Sequence, residues 1–224
     1  IIKTAWGGKS LWRDFRPPSA GPPEARMAEL LEQAQKKNPE ATMEEIEASF
    51  GHSYREMLRE VRVTMGEAGE RFPELKGRRL ELRGAVWFQG WNDMYNGFQD
   101  EYAVNMKNFI RDVRKDLAKP NLPFAIGIMG QNGFAPAKGN MAIVKAAQAS
   151  MNDVPEFAGN VRAIPTDVYW DKRAAAAFPT WRDNVAEWEK LGSDFPYHYL
   201  GSTITFTKIG RALGQVILEL RGDK

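Results

Sequence analysis

Two histidines, one amide-bearing strand end and no cysteine narrow the chemistry this chain can perform. His198 lies in Phe195-Pro196-Tyr197-His198-Tyr199-Leu200-Gly201-Ser202, directly ahead of the last apolar periodic stretch. Loops that carry function on a rigid scaffold occupy such positions. Asp194 stands four residues earlier, with Pro196 bending the path between them. A carboxylate there can hold the imidazole N–H and stabilise the imidazolium formed when the ring takes a proton. A turn or helix-capping aspartate is the plainer alternative. The second polar cluster is Gln89-Gly90-Trp91-Asn92-Asp93, which follows the apolar run Gly84-Ala85-Val86-Trp87-Phe88. An amide at the end of a buried strand needs a partner. For Asn92 that partner is a loop carbonyl or a developing oxyanion. Asp93 reads either as part of this site or as the cap of a following helix. Gly7-Gly8 reads as a tight turn, or as the source of a second oxyanion N–H. Trp87, Trp91 and Tyr95 surround the amide, and either wall a sugar-sized cleft or pack beneath the sheet end. His52, in a polar stretch, reads as a surface histidine.

Other chemistries fail on spacing or composition. Gly127 to Gly133 is glycine-rich but lacks the lysine and hydroxyl of a phosphate loop and the spacing of a dinucleotide site. The Gly-x-Ser-x-Gly nucleophile elbow is absent. No His/Asp/Glu group has metal-ligand spacing, so neither a metal nor a cofactor is expected. With 31 basic and 29 acidic residues, net +2, no field favours nucleic acid. The cluster Lys76-Gly77-Arg78-Arg79 has no interleaved aromatics and reads as a solvated loop. No apolar run approaches the ~20 residues of a membrane span. The lack of cysteine removes disulfides and thiol catalysis without fixing a compartment.

The elements that must position these residues follow from periodicity. Ile1 to Trp6 is β-prone and reads as a strand feeding the Gly7-Gly8 turn. Residues 16 to 23 hold four prolines and form a loop. Residues 24 to 75 read as a helical excursion, polar over 24–50 in the manner of a lid or partner surface. Thr42-x-x-Glu45 and Ser53-x-x-Glu56 both have the capping-box pattern. Tyr54, Leu58, Val61 and Met65 make one helix face. Leu82–Phe88, Leu122–Met129 and Asn160–Pro165 read as strands. Helices are expected over Tyr102–Leu117, about 138–151, and 203–220, the last with Ile209, Leu213, Val216, Ile217 and Leu220 on one face. Strands alternating with helices predict an α/β domain with a parallel sheet covered on both sides, spanning 1–224 as a single domain.

Taken in order, these segments resemble the SGNH hydrolases, specifically the sialate O-acetylesterase and carbohydrate esterase family 6 group. Thr4-Ala5-Trp6-Gly7-Gly8 is similar to that group's second block, whose glycine N–H lines the oxyanion hole. Val86 to Asp93 is similar to its Trp-Tyr-Gln-Gly-Glu block and to the general Gly-x-Asn-Asp signature. Pro155-Glu156-Phe157 with Gly159-Asn160, then Tyr169-Trp170-Asp171, and Tyr197 to Ser202 complete the match, the last being the catalytic-histidine block. The resemblance implies a flavodoxin-like three-layer α/β/α fold and a serine–histidine esterase that removes O-acetyl groups from a sugar, such as a sialic acid or a xylan unit. It implies His198 as catalytic base with Asp194, Asn92 and Gly8 at the oxyanion, and Gln89, Trp91 and Asp93 toward substrate. No cofactor is implied, the partner is an acetylated carbohydrate, and a secreted or periplasmic setting goes with that substrate.

Three departures stand out. The family's Gly-Gln-Ser-Asn nucleophile block is missing; family order places it upstream of Thr4, so the fold is expected to lack its first strand here. Trp91 replaces the glutamate that follows Gln-Gly in many members. Asp194 lies four residues before the histidine where three is usual, which leaves the acid open between Asp194, Asp93 and another residue. A non-catalytic carbohydrate-binding domain on the same scaffold is the alternative from another class, and a lipid or thioester hydrolase keeps the mechanism with another substrate. Oligomeric state is not legible.

Overall fold

The computed structural model describes residues 1–222 and divides into two compact units, Ile1–Leu82 with Asn96–Asn121, and Arg83–Tyr95 with the chain from Leu122 onward. The first unit is helical. Helices α1 (Glu24–Gln35), α2 (Met43–Ser49), α3 (His52–Arg71) and α4 (Tyr102–Asp116) account for its regular structure, with short 3₁₀ turns between them. The polar 24–50 stretch owes its helices to a small core of its own. Met27, Ile46 and Phe50 bury against Trp12, with Leu30, Leu31, Ala34 and Met43 around them. Trp12 also stacks on Phe98 at 4.1 Å and donates its indole N–H to Glu101 at 2.6 Å.

Local signals decide the helix ends where tertiary contacts allow. Thr42 and Glu45 form the reciprocal capping box at the start of α2. The Ser53 box does not form, because α3 already begins at His52 after Gly51 in the left-handed region (φ 67°). The amides of Ser53 and Tyr54 are instead satisfied by the Asp14 carbonyl, at 2.8 and 3.2 Å. With its first donors occupied from a distance, the helix needs no serine cap. His52 is exposed. The β-prone residues Ile1–Trp6 are not a strand, since a strand needs a neighbour to complete its ladder and none of the described residues pairs with them; the Gly7-Gly8 turn does form.

The second unit holds the sheet. Strands β1 (Ala85–Trp87), β2 (Phe124–Ile128) and β3 (Val161–Pro165) run parallel in the order β1-β2-β3. Trp87 lies opposite Ile126, and Ile126 opposite Ala163. β2 is central and buried along its whole length, which is why it reads as an unbroken apolar run. β1 is shorter than the run Leu82–Phe88 from which it was expected. Its ladder begins where the Ala85 amide meets the Pro123 carbonyl, and Pro123 has no N–H to extend it further back.

Helix α5 (Gly139–Ala149) connects β2 to β3 and lies against both. After β3 come two short helices, α6 (Lys172–Ala177) and α7 (Val185–Trp188), and then α8 (Thr203–Leu220). α8 buries Ile209, Leu213 and Val216 against Ala125, with Ile164, Ile217 and Leu220 packed around them. Alternation along β2 turns Phe124, Ile126 and Ile128 to the opposite face from Ala125, and all three are buried. The architecture is α/β with a parallel sheet, in keeping with a flavodoxin-like SGNH fold whose sheet is reduced to three strands.

Candidate active site at the strand ends

Open α/β sheets bind ligands beyond the carboxyl ends of their strands. In the second unit those ends are Phe88–Asp93 after β1, Met129–Gly133 after β2 and Thr166–Asp171 after β3. Gln148 of α5 ties the first two together. Its side chain, fully buried, accepts the Met129 N–H at 2.8 Å and donates to the Gln89 carbonyl at 2.8 Å. Gly90 fits between them only because it lacks a side chain: a Cβ there would lie 2.6 Å from the Met129 sulfur and 2.9 Å from the Gln148 amide. The glycine of the motif is therefore a packing requirement.

The residues after Gly90 form a 3₁₀ turn, Trp91–Met94. Asp93 is fully buried and accepts a hydrogen bond from the Gln89 amide at 2.7 Å. It caps no helix, since α4 starts only at Tyr102. Asn92 is half-buried, and its side-chain amide has no hydrogen-bond partner among the described residues. Gly8 belongs to the other unit.

The histidine loop is built more tightly. His198 Nδ1 lies 2.9 Å from Asp194 Oδ2, and the other carboxylate oxygen of Asp194 accepts the Phe195 N–H at 2.7 Å. That backbone donor, aided by the imidazole, holds the Asp194 carboxyl below its ordinary range against the opposing effect of partial burial. The imidazole side chain is 63% exposed. Its Nε2 has no partner among the described residues. Asp194 and His198 are thus brought together, with the outer ring nitrogen open.

What anchors this loop is the next residue. Tyr199 and Leu200 both adopt positive φ, 54° and 61°, a conformation that costs non-glycine residues of order 1–3 kcal/mol each. The bend turns His198 outward and Tyr199 inward. The Tyr199 hydroxyl accepts the Gly130 N–H at 2.7 Å and lies 2.9 Å from Thr166 Oγ1. Thr166 gives its own proton to the Ile128 carbonyl at 2.7 Å, so the Tyr199 hydroxyl donates to Thr166. One phenol therefore clamps the histidine loop to the ends of β2 and β3. Gly130 permits the contact, since any Cβ on it would run into Thr166 and the Asp167 amide. Downstream, Ser202 donates to Asp171 at 2.8 Å, and Asp171 caps α6. Tyr199, Thr166, Gln148 and Asp171 went unassigned in the sequence because their partners are distant in it.

Burial pushes the Tyr199 phenol up to about 12, more than its hydrogen bonds lower it. A group raised in the folded state stabilises fully below its unfolded value, near 10, and that contribution fades as pH climbs toward 12. Chemical denaturation followed between pH 8 and 12 should therefore show alkaline destabilisation, and Tyr199→Phe should reduce that slope, the remainder coming from the Tyr54 phenol, which burial and Asp116 also push up. A slope identical in the variant would show that Tyr199 does not carry it.

Aromatic rings frame the imidazole. Tyr197 meets His198 edge-on at 4.6 Å, stacks on Phe195 at 5.5 Å and meets Trp91 at 5.7 Å; Trp91 meets Tyr95 at 6.4 Å. The Trp91–Tyr197 contact sets the Asn92 turn beside the histidine loop. Polar groups from two strand ends and one loop thus gather at the carboxyl edge of the parallel sheet of an α/β protein.

The chain belongs to the carbohydrate esterase family described as sialic acid-specific acetylesterase, whose family model matches residues 1–168. The match covers the Gln89–Asp93 motif and all three strands and ends before the histidine loop. Among solved structures, a protein from Arabidopsis thaliana is similar at 20% identity with a TM-score of 0.47, covering 75% of this chain and 52% of its own. The chain thus spans about half the length of that structure. No curated protein matches.

Proposed function

We propose that this chain carries the base and one oxyanion donor of an esterase that removes O-acetyl groups from a sugar by serine–histidine acyl transfer. The observation that supports this reading most is the Asp194–His198 pair with its open Nε2 at the strand ends, in a carbohydrate esterase family. In this mechanism a serine hydroxyl attacks the acetyl carbonyl while His198 Nε2 takes its proton. The carbonyl oxygen becomes an oxyanion held by the Asn92 amide. His198 then returns the proton to the departing sugar alkoxide, and a second cycle with water releases acetate. Asp194 holds the ring by Nδ1 and stabilises its charged form. Sialic acids and xylan units are the sugars the family resemblance suggests.

The second reading, a non-catalytic carbohydrate-binding domain, is favoured by one observation: among the described residues no hydroxyl is bonded to His198 Nε2. Acetate release separates the two. The full natural polypeptide, incubated with an O-acetylated sugar and with the same alcohol carrying a long acyl chain, is expected to release acetate and to favour the acetyl ester. Binding of the deacetylated sugar with no acetate released from any ester would overturn the esterase in favour of the binding domain. Preference for the long acyl chain would shift the substrate to a lipid.

A further inference from the structure

Most polar side chains at the three strand ends are held by the protein itself. Gln148 bridges Met129 and Gln89, and Gln89 holds Asp93. Tyr199 and Thr166 hold each other, and Lys145 pairs with Asp167 at 2.8 Å. Gln131, two residues beyond Met129 at the end of the central strand, belongs to none of these pairs. Its Oε1 is shielded from solvent and has no hydrogen-bond partner among the described residues. Buried polar atoms in folded proteins are nearly always paired, because an acceptor that loses water and gains nothing opposes folding. An amide oxygen kept in that condition calls for a donor from outside the chain.

The turn that carries Gln131 is fixed at both ends. The Tyr199 hydroxyl accepts the Gly130 N–H at 2.7 Å, and the Gly130 carbonyl accepts the Gly133 N–H at 3.1 Å. Asn132 and Gly133 take positive φ, 69° and 62°. A Cβ on Gly133 would lie 2.8 Å from the buried Trp170 ring, so that end of the turn is packed against the indole. The phenol that clamps the histidine loop therefore also sets the backbone from which Gln131 projects. Such support is what a recognising side chain needs to stay in one place.

The chemistry of the free atom narrows the ligand. Oε1 only accepts, and an acetyl ester group carries no donor, so the contact belongs to the alcohol half of a substrate. In a carbohydrate esterase family the donor on that half is a free hydroxyl. We propose that Gln131 accepts a hydrogen bond from a sugar hydroxyl other than the acetylated one, and so selects esters of polyhydroxy alcohols over simple acetate esters. The inference rests on the esterase reading for the chemistry at His198 but not for the binding contact, so the two can fail separately.

The test titrates methyl xyloside and methyl N-acetylneuraminide, each with the analogues that lack one hydroxyl, into the full polypeptide by ligand-observed NMR. For a sugar that binds, one deoxy analogue should bind about tenfold more weakly than its parent. Gln131→Met, of similar size, should bind the parent about tenfold more weakly and no longer distinguish it from that analogue, a non-additive cycle. Gln131→Glu, which keeps an acceptor, should retain the distinction. On the monoacetylated sugar the loss in Gln131→Met should appear in KM and not in kcat. If Gln131→Met weakens parent and every analogue alike, the amide serves the turn and the proposal is overturned. Failure of both sugars to bind the wild type would overturn it too, as would loss of the distinction in Gln131→Glu, since the amide would then be donating. A non-additive cycle with no acetate released from any ester would uphold Gln131 and overturn the esterase reading alone.

Discussion

Replacing His198 with alanine is expected to lower kcat/KM for acetate release by about 10²- to 10⁴-fold, the usual worth of a positioned general base. Little else should change. The imidazole is largely exposed and its only hydrogen bond among the described residues is to Asp194, so its removal should alter stability by no more than about 0.5 kcal/mol. The loop keeps its shape through Tyr199, whose bonds to Gly130 and Thr166 do not involve the ring. Added imidazole should then restore part of the lost rate, because the site still receives substrate and lacks only a base. Asp194→Asn refines the point. The asparagine carbonyl can still accept the Phe195 N–H, so the turn survives while the charge opposite the imidazolium is lost. Its turnover should fall less than that of His198→Ala, with no rescue by imidazole. Wild-type turnover in His198→Ala would remove the base from the mechanism and the esterase assignment with it.

Much of this arrangement is legible in the sequence, and the reason differs by element. Helix α8 is bounded as expected, Thr203–Leu220, because a serine cap and an apolar face of regular period both point the same way. β2 was legible because a central parallel strand is apolar throughout. Asp194 and His198 were legible as a pair because they are close in sequence and their contact is local. The failures have one cause: contacts supplied by residues far along the chain. Asp14 provides the carbonyl that makes the Ser53 capping box unnecessary. Pro123 limits the ladder of β1. Ile1–Trp6 has the composition of a strand, but composition supplies no neighbour to pair with. Gln148 looks like a polar interruption on an apolar helix face until the backbone groups of Gln89 and Met129 are placed beside it. Such a polar residue on an otherwise buried helix face is the one signal that sequence reading could have used.

Asn92→Ala is expected to lower kcat by about 10²- to 10³-fold while leaving KM within a few-fold of its value. An oxyanion donor acts on charge that exists only in the transition state, so its loss appears in kcat and not in ground-state binding. A substrate-anchoring amide would give the reverse, a raised KM with kcat preserved. With either outcome, the structure predicts little loss of stability. The neighbouring Gln89 and Asp93 hold each other, and Gly90 locks the turn against Met129 and Gln148. The Asn92 amide, with no partner of its own among the described residues, adds nothing to that scaffold. Its removal should leave thermal stability nearly unchanged, whereas an amide serving the fold would cost about 1–3 kcal/mol when lost. Asn92→Asp sharpens the distinction, since it keeps the size of the side chain but replaces the donor with a negative charge facing the oxyanion. Its kcat should be no higher than that of Asn92→Ala. If either variant keeps wild-type kcat, the motif around Gly90 is a structural corner of the sheet, and the oxyanion must be held elsewhere.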